Sequence, residues 1–391
     1  MRQWLTRLSD DLSRRRASSL HRQLRPLDRP GPVVRRGRQP LINLASNDYL
    51  GLSQHPRLRE AVADAAREFG VGAGASRLVA GHLQLHQQLE QRLAVFKHAP
   101  AALVTPTGYM ANLAAVTALA DARDAIFLDK LNHASLIDAA RASGAAVRTF
   151  PHRNIDKLHR LLGRYGDARR RLILTDTVFS MDGDAADLPR LCEVRDRYSA
   201  VLLIDEAHAT GVLGATGAGL AEAQGVAGEI DVTVSTASKA LGSLGGFISA
   251  DAVVIETLIN HARAFIYTTA IPPTTAAAIL AALDVLRDEP ERRAKLANMS
   301  RTLRRALRQH GWQIDETGPA TPIIPLIVGT PSGAIDLAAR LEHAGFLAPA
   351  IRTPTVPGGT DRVRLSLRAD LTDEHLARLI DAVGPPPASA R

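Results

Sequence analysis

From about Leu41 to Ala250, short apolar runs alternate with amphipathic stretches, and this alternation limits the possible fold more than any other feature of the 391 residues. Pro56 to Phe69 places Leu58, Val62, Ala65 and Phe69 on one face of a helix, and Leu85, Leu89, Leu93 and Phe96 repeat the pattern. Candidate strands follow at Ala101–Thr105, Ala125–Asp129, Val147–Phe150, Leu172–Thr175, Val201–Asp205 and Val232–Ser235, most of them separated by helical pattern. Such strands form a predominantly parallel sheet covered on both faces, an α/β architecture. Ligands of these sheets lie beyond the carboxyl ends of the strands, where Thr107-Gly108, His133, Asp205 and Lys239 all fall.

Around Pro272 and Pro273 the chain changes to long alanine- and arginine-rich helical stretches, followed by strand pattern near Ile323–Val328 and Arg362–Leu367. The expected division is a basic helical or extended segment over 1–52, a large α/β domain over 53–285 and a smaller α+β domain over 286–391. No internal repeat is evident, and the tail Pro385-Pro386-Pro387-Ala388-Ser389-Ala390-Arg391 is expected to be disordered.

Within this frame Lys239 stands out, as one of five lysines among 48 basic residues. The β-branched run Val232-Thr233-Val234-Ser235 precedes it and Gly242, Gly245 and Gly246 follow, which puts its amine on a tight loop after a buried strand. Lys97, Lys130, Lys157 and Lys295 have surroundings typical of surface lysines. Another apolar strand ends in Asp205-Glu206-Ala207-His208. An amine and a carboxylate at neighbouring strand ends can grip a pyridine aldehyde, the amine as a Schiff base and the carboxylate on the ring nitrogen.

Composition removes several alternatives. The single cysteine, Cys192, excludes an intramolecular disulfide and a cysteine-rich zinc site, and fits a reducing compartment. Met1-Arg2-Gln3-Trp4-Leu5-Thr6-Arg7 lacks a signal-peptide core and no apolar run approaches a membrane span, so a cytoplasmic protein without membrane contact is expected. The net charge of +8 is densest in the first 38 residues and raises the question of nucleic acid. Aromatic residues are only 4% of the chain and no reader motif appears, which favours a solvated face or an anionic small-molecule partner. Gly70-Val71-Gly72-Ala73-Gly74-Ala75 follows a helix instead of a strand, so it is no dinucleotide fingerprint. His82 and His86 lack the glutamate of a zinc-protease helix, and no metal is expected.

Thr107-Gly108-Tyr109 stands between a strand and a helix expected to begin near Met110, so its amides can meet a phosphate at the positive end of the helix. His133 follows the next strand, where an imidazole can stack on a planar cofactor, and Thr177 to Asp184 is a polar loop able to supply a hydroxyl.

The segments Ser46 to Leu52, Gly74-Ala75-Ser76-Arg77, Gly81-His82, Asn132 to Leu136, Val178 to Asp184, Asp205 to His208 and Lys239 together resemble the α-oxoamine synthases. The resemblance runs from about Leu12 to Leu379 with the motifs in order. It implies an aspartate-aminotransferase-like, fold type I pyridoxal-phosphate transferase that works as a homodimer. On this basis Lys239 is the Schiff-base lysine, Asp205 the partner of the pyridine nitrogen, and His208 a hydrogen-bond partner of the ring hydroxyl. His133 stacks on the ring, and Gly108, Tyr109, Ser180 and Thr236 hold the cofactor and its phosphate. Arg364 anchors an amino-acid carboxylate with Asn47 nearby, while Arg22 and Thr355 line the acyl-substrate site. Ser76 to His82, Pro151 to Asn154 and Ala350 to Pro357 are most similar to members that join L-alanine to pimeloyl-CoA or a pimeloyl-carrier protein. Glycine with another acyl-CoA, or an aminotransferase reaction, are the rival activities. Ala237-Ser238 replaces the usual apolar residue and glycine before the lysine.

Overall fold

A computed structural model describes residues 2–315 and 317–387, and of the tail expected to be disordered, Ala388 to Arg391 lie outside the described residues. Contacts divide the chain into two compact units: Asn47–Ser180 with Asp184–Lys295, and Met1–Ser46 with Met181–Gly183 and Leu296–Arg391.

Helix α1 (Gln3–Ala17) precedes two short strands that the sequence pattern did not reveal, β1 (Val33–Arg36) and β2 (Gln39–Asn43), paired antiparallel. Helix α2 (Pro56–Phe69) matches the expected span. The His55 ring accepts the Arg57 N–H, Pro56 opens the first turn, and Gly70 ends the helix at φ +77°. Helix α3 (Gln84–Phe96) follows.

The predicted strands are all present as β3 (Ala101–Thr105), β4 (Ala125–Asp129), β5 (Ala146–Phe150), β6 (Arg171–Asp176), β7 (Val201–Asp205) and β8 (Val232–Thr236). One more, β9 (Gly246–Ala250), lies between β3 and β8 and is antiparallel to both. The seven-stranded order is β3-β9-β8-β7-β6-β4-β5. Only β9 opposes the common direction, so the carboxyl ends of the other six share one edge.

Helices α4 (Gly108–Leu119) and α5 (Ala134–Ala142) cover one face. Ile126 and Leu128, Leu172 and Leu174, and Val232 and Val234 alternate onto that face, meeting Ala111, Ala114, Ala115, Ala139 and Ala140 of the helices. Alanines let the helix backbones come close, and each fully buried Leu, Ile or Val contributes roughly 1.5–3 kcal/mol. This packing fixes the sheet edge on which the polar residues stand.

The smaller unit contains β10 (Ile323–Ile327), β11 (Phe346–Leu347), β12 (Ala350–Ile351) and β13 (Arg362–Ser366). β13 pairs antiparallel with β10 and β12, and β11 lies parallel on β2. No helix among the described residues is long and apolar enough to cross a membrane.

Candidate active site

The lysine loop is a short connection whose ends are fixed by the sheet. Thr236 of β8 pairs with Gly246 of β9, the Ala237 N–H donates to the Gly245 carbonyl at 2.9 Å, and the Gly242 N–H donates to the Lys239 carbonyl at 2.9 Å. Gly242 has φ +64°, and a Cβ there would lie 2.4 Å from the Ser53 nitrogen, so this turn accepts only glycine. Lys239 is half-buried on it. The unusual Ser238 makes a local turn of its own, its Oγ 2.8 Å from the Thr236 Oγ1 and its N–H donating to the same oxygen at 3.2 Å.

Asp205 ends β7, the strand paired with β8. Its Oδ1 accepts the Ala207 N–H at 2.8 Å and its Oδ2 accepts the Asn112 amide at 2.6 Å, so the buried carboxylate is held at both oxygens. Its loop is held from behind by Lys97. The sequence surroundings of Lys97 suggested a surface residue, but its side chain is only 2% exposed and pairs with Glu206, which is 1% exposed. Lys97 also donates to Thr210 at 3.1 Å and to the Ala218 carbonyl. His208 lies four residues into this turn, with Nδ1 2.6 Å from the Tyr49 hydroxyl; that hydroxyl is 3.3 Å from Asn47 Oδ1.

His133 caps α5. Its backbone N–H donates to Asp176 Oδ2 at 2.6 Å and its Nδ1 is 2.7 Å from Ser135 Oγ. The protein packed around the ring lowers its pKa, opposed by the Asp205 charge and reinforced by that of Lys239. Asp176 faces Asp205 across the β6–β7 pair. Burial, and then the charge of Asp205, hold its carboxyl well above the usual range.

Helix α4 starts at Gly108, two positions before the expected start at Met110, because Thr107 is the cap and accepts the Met110 N–H at 3.2 Å. The amides of Gly108 and Tyr109 belong to the first turn and have no carbonyl partner within the helix. A Cβ on Gly108 would lie 3.2 Å from that of Thr236. The Tyr109 hydroxyl donates to Asp138 at 2.5 Å, so what this residue offers an anion is its backbone N–H. Ser180 is half-buried after Phe179, whose N–H donates to the Asp184 carbonyl at 3.0 Å.

The larger unit thus brings together Lys239, Asp205, His133, His208, Gly108, Tyr109, Thr236 and Asn47, and it also contains Ser180. Arg22, Thr355 and Arg364 belong to the smaller unit. There Arg22 donates to Thr355 at 3.1 Å across 333 positions, and Arg364 is buried on β13 opposite Pro325. A cavity of about 680 Å³ in that unit, lined by Arg301, Arg305 and Arg308 among others, contains none of the expected residues. The chemistry, not the cavity volume, locates the site. Asn112, Ser135, Asp176 and Tyr49 had no role in the sequence reading. Tyr49 and Ser135 stand inside quoted motifs, whereas Asn112 is a polar residue in an otherwise apolar helix, a signal visible only once that helix is known to be buried.

His82 and His86 are engaged elsewhere: His82 Nδ1 accepts from Arg77 at 3.0 Å and His86 Nε2 is 2.9 Å from the Ile271 carbonyl. Among the described residues no group of three or more His, Cys, Asp or Glu is placed to hold a metal ion. An amine on the loop after β8 and a buried carboxylate at the end of the paired strand β7, beside first-turn amides kept clear by a glycine, fit a phosphorylated pyridine aldehyde.

The model of the family aminotransferase class I and II matches residues 39–383, and the chain belongs to that family. It is 47% identical to the 8-amino-7-oxononanoate synthase of Anaeromyxobacter dehalogenans, over 90% of this chain and 88% of that one. It is 44% identical to the Geobacter sulfurreducens protein of the same name, over 96% of each. Among solved structures, a serine palmitoyltransferase of S. paucimobilis with bound PLP superposes with a TM-score of 0.91 at 28% identity, covering 96% of this chain and 95% of the other. The 8-amino-7-oxononanoate synthase of Francisella tularensis gives 0.77 at 28% identity, covering 88% and 96%. The fold is that of the fold type I pyridoxal-phosphate transferases, as the resemblance implied.

Proposed function

We propose that this chain is a pyridoxal-phosphate enzyme that condenses L-alanine with a pimeloyl thioester, releasing carbon dioxide and the free thiol and forming 8-amino-7-oxononanoate, a step of biotin biosynthesis. The observation that carries the reading is the 43–48% identity, over nearly the whole chain, to relatives bearing that enzyme's name. The paired-strand amine and carboxylate add the chemistry.

When bound, the cofactor supplies an electron-withdrawing ring that takes up the electron pair left at alanine Cα. Lys239 holds the cofactor aldehyde and moves the Cα proton. Asp205 keeps a proton on the pyridine nitrogen, for which its two fixed oxygens suit it. His133 stacks on the ring, and His208, steadied by Tyr49, bonds the ring hydroxyl. The amides of Gly108 and Tyr109, with Ser180 and Thr236, hold the cofactor and its phosphate. Arg364 takes the alanine carboxylate as a charged fork, with Asn47 assisting. Arg22 and Thr355 serve the acyl thioester, carried by coenzyme A or a carrier protein. The working form in this reading is a cytoplasmic homodimer.

Purified enzyme given L-alanine and pimeloyl-CoA is expected to release thiol and carbon dioxide, and glycine with acetyl-CoA to be a poor pair. The reverse preference would make the chain an acetyltransferase, and turnover without thiol release an aminotransferase. Borohydride reduction of the holoenzyme should leave the cofactor on the peptide containing Lys239; recovery on Lys97, Lys130, Lys157 or Lys295 contradicts the assignment.

A further inference from the structure

We infer that Asn112 and Ser135 form a buried polar relay joining the carboxylate of Asp205 to the imidazole of His133, and that the relay fixes this ring as the tautomer protonated at Nε2. The inference deepens the proposed function and rests on it only for the roles of His133 and Asp205.

Asn112 and Ser135 are each 1% exposed. The Asn112 Nδ2 lies 2.6 Å from Asp205 Oδ2 and 2.8 Å from Ser135 Oγ. The opposite amide orientation would set a carbonyl oxygen against a carboxylate, so both amide protons are spent, one on each neighbour. The Asn112 Oδ1 is buried and has no partner among the described residues, a cost accepted to bring the amide protons to these two oxygens.

The direction of every later bond follows. Ser135 Oγ accepts from Asn112, which leaves its own proton for His133 Nδ1 at 2.7 Å. The Ser135 backbone N–H points at the same nitrogen, at 3.3 Å. With two donors directed at it, Nδ1 must present its lone pair, and the ring proton sits on Nε2. The depressed pKa of His133 agrees, because it keeps the ring neutral near pH 7. His133 is therefore a hydrogen-bond donor through Nε2 and not a proton acceptor there. The same relay sets the plane of Asp205, whose other oxygen is taken by Ala207. Asn112 and Ser135 are positioning residues: they act through His133 and Asp205.

The test is nitrogen NMR of the holoenzyme labelled at histidine side chains, with His133→Asn identifying the resonance. The wild type should show neutral His133 protonated at Nε2 at pH 7.5. Ser135→Ala should give a mixture of tautomers and lower kcat by about 10- to 100-fold with little change in KM for alanine, while Ser135→Thr, which keeps the hydroxyl, should restore both. An Nδ1-protonated ring in the wild type, or an unchanged tautomer in Ser135→Ala, overturns the relay. Failure of the wild type to release thiol from alanine and pimeloyl-CoA would instead remove the functional reading, and the tautomer result would still stand or fall by itself.

Discussion

His152 shows how far one side chain's chemistry depends on distant neighbours. Its Nδ1 is 3.0 Å from Asp129 Oδ1, its Nε2 is 2.7 Å from Asp184 Oδ2, and it meets Phe179 edge-on at 4.3 Å between ring centres. Burial opposes the charge, but the two carboxylates together outweigh it and the pKa is pushed up to about 9. A pKa raised in the folded state stabilises fully below the ordinary value near 6.5, and this stabilisation fades as pH climbs through 9. The gap in melting temperature between wild type and His152→Phe should therefore be wide at pH 6 and narrower at pH 9.5; a constant gap would show that the charge contributes nothing. Pro151-His152-Arg153-Asn154 was legible as a motif. The carboxylates lie 23 and 32 positions away, and nothing local announces them. Lys239 and Asp205 stood out as candidates because rarity and strand ends mark them within their own short segments.

The same divide separates elements. Strands β3, β4, β6 and β7 were readable from mostly apolar runs, and β5 and β8 from shorter β-branched or apolar stretches between helical segments, whereas β9 begins in a glycine turn and β1 contains two arginines, so neither stands out by composition. Contacts between elements were less legible still. Lys97, at the end of α3, reaches Glu206 beyond β7, and this buried pair holds the turn that carries Asp205 and His208. Removing one partner leaves a buried charge unmet, so Lys97→Met is expected to cost about 3–5 kcal/mol in urea unfolding. The double variant Lys97→Met with Glu206→Leu should recover most of that loss. If the double variant is no more stable than the single one, the pair does more than neutralise itself.

At the scale of the whole molecule, Val71, Leu78, Val79 and Tyr267 are exposed in the single chain, close to the glycine segment and the bridge between Ser76 and Thr269. In the proposed homodimer such apolar residues are covered. Sedimentation should report a dimer, and Val79→Asp, at a side chain 81% exposed here, should shift it toward monomer without loss of helical signal. A monomeric wild type would remove the dimer from the reading. Nearly all of the larger unit is continuous in sequence, from Asn47 to Lys295 apart from Met181–Gly183. Strand pattern at β10 and β13 was readable, but the smaller unit is assembled from both ends of the chain, and no local pattern announces the pairing of β2 with β11, which joins Ile42 to Phe346. That pairing has a consequence for synthesis. Ribosomes add about 5–20 residues per second, so β2 waits roughly 15–60 s for its partner strand while the larger unit is made. During that interval one of its edges has no strand to pair with, and a chain stalled before Gly345 would carry that open edge permanently.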